Sequence, residues 1–356
     1  MGSIGEWNSP IQRAPDFSEL LAVLRRERPR RPVLFELFLN TPLYRMLAGE
    51  EVARAYDAGE LTWEEVQMWA MRNAGYDYVT VRASTFEFPR REQHCEKTLS
   101  LNEGAVITDR ASFEALSWTE PDGSDWSMLD KLGSVLPEGM KLIVYGPGGV
   151  LENVVRMVGY ENLCLLLADD PEFVAEIFDA VGSRLLRYYE LCVRHPAVGA
   201  IVSNDDWGFK SQTMVSPADL RRYVFPWHAR IVAVAHAAGK PAILHSCGNL
   251  SAVMDDVIEV MRFDAKHSYE DTIQPVEEAY EQYCGRIAIL GGIDVNFVCR
   301  ATAQEVYERS RGMVERGSRC GGYALGTGNS VPEYVPQKNY FAMIQAAWEE
   351  GETGKR

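Results

Sequence analysis

The chain has 356 residues, of which 46% are apolar and 24% charged, and a formal net charge of −15. That is enough apolar material for one large core, within the size range of a single α/β barrel. The acidic balance argues against nucleic acid, whose phosphates need clustered Lys and Arg, and no apolar run of about 18 residues is present to span a membrane.

At the N-terminus, "MGSIGE" has Glu6 where a myristoylation signal needs Ser or Thr, and no signal-peptide apolar segment follows. The basic cluster "RRERPRRP" (25–32) reads as an exposed lead-in to a first strand. Seven cysteines, an odd number scattered through apolar segments, read as reduced thiols. The expectation is a soluble, cytoplasmic protein.

Short apolar runs then recur along the chain: 32–39, 76–83, 141–146, 198–204, 241–246, 263–268, 286–292 and 321–327. Each is near-continuously hydrophobic, as strands buried on both faces must be. Between them lie helical patterns. One spans 216–239, with Ser216 as N-cap, Pro217 at the first helical position and Gly239 at the stop. Another spans 302–317 and opens on a capping box, Thr302 with Glu305. Eight strand–helix alternations predict an α/β fold, a (β/α)8 TIM barrel with an N-terminal helical lead-in, in one domain over residues 1–356. An open doubly wound sheet is the competitor, but no "GxGxxG" follows the first strand. Residues 84–140 exceed one βα connection, and the alternation at 97–110 predicts a hairpin flap after the second strand.

Barrel chemistry sits at the C-terminal ends of the strands. Those ends carry Glu36 and Asn40, Arg82, Tyr145, Asn204, Asp205 and Asp206, His245 and Cys247, His267 and Glu270, Asp294, and Asn329. In "PAILHSCGNL" (241–250), His245 and Cys247 stand two residues apart, so both point the same way from one strand. Imidazole, thiolate and carboxylate suit a tetrahedral zinc with one open position. Glu270, on the neighbouring rim, is the expected carboxylate. The alternative is a core histidine and an inert buried thiol.

"HSCGNL", the 203–231 segment, "ILGGID" (289–294) and the 321–346 segment together resemble the uroporphyrinogen decarboxylase superfamily, over most of residues 140–350. The resemblance implies a (β/α)8 barrel with one of two chemistries. One is cofactor-free decarboxylation of a porphyrinogen. The other is methyl transfer with cobalamin, on methanol, methylamines, chloromethane or methoxylated aromatics, with zinc held by a His-x-Cys pair. The decarboxylases carry an Arg-rich segment near the first strand, where this chain has "LFELFLNTPLYR" with Glu36, and an Asp after the second, where it has "VTVRASTFEF". His245 and Cys247 match the methyltransferase pair. Thiol-methylating members carry a further cysteine after the last strand, and Asn329 stands at that position; Cys320 precedes the strand.

The resemblance therefore implies a zinc-dependent methyltransferase, favouring a C–O methyl donor such as a methoxylated aromatic. Its metal residues would be His245, Cys247, Glu270 and Asn329. Catalytic roles are expected for Asp205, Asp206 and Glu36, and substrate contacts for Asn204, Tyr145, Trp207, His267 and Arg82. The chain lacks a "DxHxxG" corrinoid signature, so the corrinoid (cobalamin) is expected on a separate partner protein. The remaining expected partner is the small-molecule methyl donor or acceptor; a homodimer stays open. The alternatives are a decarboxylase, a thiol-methylating corrinoid enzyme and a ligand-binding barrel without activity.

Overall fold

In the computed structural model of the protein, residues 4–7, 11, 13–90 and 101–353 are described. Seven strands form one parallel sheet in sequential order: β1 (Tyr78–Arg82), β2 (Lys141–Tyr145), β3 (Val198–Asn204), β4 (Ala242–His245), β5 (Ala265–His267), β6 (Ala288–Leu290) and β7 (Tyr323–Ala324). Each lies inside one of the apolar runs, and their interior residues are almost wholly buried because helices cover the outer face. Parallel order with helical crossovers, curling as it goes, gives a TIM-like barrel.

The first apolar run behaves differently from the expected strand. Residues 33–37 form a single parallel bridge, Leu34 to Leu325, with Phe35 N donating to Leu325 O and Leu325 N to Val33 O. On the other side, side chains of β1 replace a backbone ladder. Tyr78 Oη donates to Glu36 O at 2.7 Å, and Thr80 Oγ1 donates to Leu37 O at 2.6 Å. The segment thus lies between β7 and β1. Gly326 makes the approach workable, since a Cβ there would stand 1.7 Å from Phe35 O.

Two cap signals appear as the sequence predicts. Ser216 caps the helical stretch that runs to Ala237, and Thr302 and Glu305 form a capping box on helix Ala303–Cys320. The 217–237 stretch is not uniform: residues 220–224 widen into a π-turn just before Pro226, which has no N–H to continue the i→i−4 ladder. Helix Phe17–Leu24 precedes the first segment. Within the basic cluster Arg30 pairs with Asp16 and Glu19 and Arg31 with Asp77, while Arg25, Arg28 and Arg30 stay exposed, as expected of a lead-in segment.

The expected hairpin flap falls partly on residues 97–100, outside the described residues. Residues 101–109 form turns and bends, and helices Arg110–Glu114 and Ser127–Val135 follow, so no strand occupies 101–140. Six cysteines are free thiols, and Cys95 lies outside the described residues. No helix among the described residues is long and apolar enough to cross a membrane.

Candidate metal centre and substrate cavity

Strand register brings the chemistry together. Asn204 pairs with His245, and His245 with His267, so three strand-end side chains stand side by side. Continuing two residues past the first pair sets Asp206 beside Cys247, whose N–H donates to Asp206 Oδ1 at 2.8 Å. Donor atoms of Asp206, His245 and Cys247 all lie within 4.8 Å of one another. Ligands of a tetrahedral zinc sit roughly 3.5 Å apart, so this set fits that ion with little adjustment.

The imidazole orientation follows from a chain of bonds behind it. His267 Nε2 lies 3.3 Å from the Thr327 carbonyl, which only accepts, so this nitrogen carries the proton. His267 Nδ1 then has a lone pair and accepts from His245 Nδ1–H at 2.8 Å. That leaves His245 Nε2 unprotonated, 3.7 Å from Cys247 Sγ, as a metal ligand must be. Burial keeps both rings neutral, with His245 pushed down to about 4 and His267 held well below the usual imidazole range. Phe35, edge-on at 5.2 Å, packs against the His267 ring.

Thr327 is anchored in turn by Glu36. Glu36 is fully buried, accepting from Thr327 N at 2.7 Å, with its Oε2 2.7 Å from Thr327 Oγ1. The Thr327 hydroxyl also bonds Asn329 O, and it has only one proton. Burial pushes Glu36 up to about 8, so at neutral pH the carboxyl itself supplies the second proton.

Around the sulfur, Ser268 Oγ and Asn329 Nδ2 each donate at 3.4 Å. Ser268 has φ +88, an uncommon value for a residue with a side chain. Buried Lys266 clamps its carbonyl at 2.6 Å. Burial and Asp206 push the Cys247 thiol up to about 12, whereas a cation beside it reverses both effects. A half-buried thiol facing a carboxylate and a lone imidazole nitrogen is therefore a donor set suited to a cation.

His245 also lines a cavity of about 280 Å³ at the barrel mouth, shared with Asn204, Tyr145, Phe38, Arg82 and Glu152 among others. Asn204 Oδ1 is buried with no hydrogen-bond partner. Glu152 accepts from Gly149 N on Oε2 at 3.0 Å, and burial, then Asp205 and Asp206, raise it to about 7.

The sequence-predicted residues thus separate into groups. His245 and Cys247 meet, with Asp206 as the carboxylate. Glu270 lies outside that triad and lines a neighbouring cavity with Tyr269 and Lys266. Asn329 meets the sulfur through its amide nitrogen, a donor. Asn204, Tyr145 and Arg82 line the mouth cavity. His267 and Glu36 stand behind His245 and Thr327, away from the cavity. Asp205 is fully buried, accepting from Leu151 N and Glu152 N at 2.9 Å and bonded to His228 Nε2 at 2.8 Å, so it docks a helix N-terminus. Trp207 is fully buried against Phe225 and His228. Sequence reasoning missed Glu152 and Thr327; neither carries a local motif.

Fold and site define an α/β TIM-like barrel enzyme class with a metal-competent triad at the strand ends. Residues 134–349 match the family Uroporphyrinogen decarboxylase (URO-D), and the chain belongs to that family. A uroporphyrinogen decarboxylase from Anaeromyxobacter sp. (strain Fw109-5) is 24% identical over 247 residues, covering 67% of this chain and 68% of that protein. A methyltransferase from Methanosarcina mazei shares the fold with a TM-score of 0.67 at 13% identity, covering 95% of this chain and 99% of that one.

Proposed function

We propose that the protein is a zinc-dependent methyltransferase that moves a methyl group between a small methylated substrate, favoured as a methoxylated aromatic or other C–O donor, and the corrinoid of a separate protein. The observation that carries this reading is the His245–Cys247–Asp206 triad, with its imidazole tautomer already set for metal binding, opening on the mouth cavity. Zinc held there would supply Lewis acidity toward the oxygen that leaves with the methyl group's departure.

The remaining work falls to the chain. The Thr327–His267–His245 relay orients the imidazole, and burial holds it neutral. Ser268 and Asn329 donate to the sulfur and hold it beside Asp206. Phe38 and Tyr145, edge to face at 4.9 Å, offer an apolar wall of two crossed rings that keeps water from one side of the substrate. Glu152, with Oε2 bound to Gly149 N, is left with Oε1 to carry a proton for the departing oxygen at neutral pH.

Elemental analysis of gently purified protein tests the reading, with close to one zinc per chain expected and Cys247→Ala losing most of it. A wild type with negligible zinc overturns it. The likeness to a named uroporphyrinogen decarboxylase supports a second reading, decarboxylation without a cofactor. Metal-independent loss of CO2 from a porphyrinogen would establish that reading in place of the first.

A further inference from the structure

The mouth cavity carries a charge pattern opposite to that of the chain. Of its lining residues, Arg82, Arg90 and Arg156 are cationic and only Glu87 and Glu152 acidic, in a protein with 51 acidic and 36 basic residues. Glu87 is spent on Arg82, at 2.6 Å, and lies 3.7 Å from Arg90. Arg156 has no ion pair or hydrogen bond among the described residues, and Arg82 Nε is buried without a partner. A guanidinium outside any ion pair, beside two others that share the single carboxylate of Glu87, is a recognition surface for an external carboxylate at a concave mouth.

The same cavity carries the apolar Phe38–Tyr145 wall, and His245 is part of its lining. Its volume of about 280 Å³ is at the small end of ligand sites, enough for one ring and too little for a tetrapyrrole. We infer that the substrate is a small organic anion, a methoxylated aromatic carboxylate, held by Arg156 and Arg90 at its carboxylate and by Phe38 and Tyr145 along its ring. The anion site stands on the charge and shape of the cavity; the methoxy group rests on the methyltransferase reading above.

Equilibrium binding to the zinc-loaded chain alone tests this, because no partner protein is needed. The probes are 4-methoxybenzoate and its neutral counterpart 4-methoxybenzamide, titrated by calorimetry at neutral pH. The benzoate should bind at least about tenfold more tightly than the amide, as a charge-assisted pair adds. Arg156→Gln should remove most of that preference while leaving amide affinity unchanged, and Arg156→Lys should restore part of it. Equal affinity for the two probes in the wild type overturns the inference, as does no measurable binding of the benzoate at millimolar concentration. A preference kept in both Arg156→Gln and Arg90→Gln but lost in Cys247→Ala also overturns it, because the carboxylate would then be captured at the metal. The two readings fail separately. An arginine-dependent preference without demethylation by any reduced corrinoid protein retains the anion site and removes the methyltransferase reading; demethylation of both probes at equal kcat/KM does the reverse.

Discussion

Asp206 and Glu270 are both carboxylates near the strand ends, yet only one reaches the Cys247–His245 pair. Because Asn204 is in register with His245, Asp206 and Cys247 occupy equivalent places two residues further on. Glu270 is three residues beyond His267, and the left-handed turn at Ser268 redirects the chain before it. Asp206→Asn should therefore lower zinc affinity about 10–100-fold or more, the size of effect seen even for groups that touch ligands indirectly. Glu270→Gln and Cys320→Ala should leave zinc content unchanged, as read by competition with a chromophoric chelator. Loss of zinc in Glu270→Gln with retention in Asp206→Asn would reverse the assignment.

Glu36 gives a pH signature at the same scale. Its carboxyl has a folded value of about 8 against 4.5 when exposed, so the folded state binds the proton more tightly. Its contribution to stability is complete below pH 4.5 and is lost as pH rises through 8, at a slope of at most about 1.4 kcal/mol per pH unit. Gln reproduces the neutral acid's pattern, accepting from Thr327 N and donating to Thr327 Oγ1. Urea denaturation of Glu36→Gln at pH 5, 6.5 and 8 should show a flatter profile than the wild type, with the variant gaining relative stability at pH 8.

At the scale of elements, Asp205 ties three pieces together: β3, the helix Val150–Val158 and the helix bearing His228. Removing a buried charge partner that satisfies two helix N–H groups and an imidazole typically costs about 3–5 kcal/mol. Asp205→Ala should lose stability on that order in denaturant melts. What remains folded should still bind zinc, since neither oxygen faces the metal triad. A variant with wild-type stability and abolished turnover would return Asp205 to the catalytic role its sequence position suggests. Gly326 is the corresponding steric element. An added Cβ meets the Phe35 carbonyl, so Gly326→Ala should loosen segment 33–37 and cost about 1–3 kcal/mol.

At the scale of the whole molecule, the barrel offers one cavity that joins His245 to a charged and aromatic mouth, and the chain has no corrinoid signature of its own. Purified enzyme with a methoxylated aromatic carboxylate should release no demethylated product. Adding a reduced corrinoid protein should start turnover, followed by the change in corrinoid absorbance. Demethylation by the enzyme alone would rule out the proposed transfer.

The sequence by itself determined the barrel's repeating pattern and the site's nucleus. Apolar runs of strand length record burial on both faces, a property each run carries locally, and seven of the eight appear as paired strands. His245 and Cys247 were legible because i and i+2 on a strand share a face whatever the rest of the fold does. Caps at Ser216 and Thr302 were legible for the same reason, being bonds across three residues. Only the tertiary structure decided the partners that come from elsewhere. Asp206 over Glu270 depended on inter-strand register and on one left-handed residue. Glu36 became a buried anchor of Thr327, 291 residues away, in place of a group facing substrate. Whether Asp205 met a ligand or a helix end was equally non-local, since a carboxylate's role is set by whichever donors surround it.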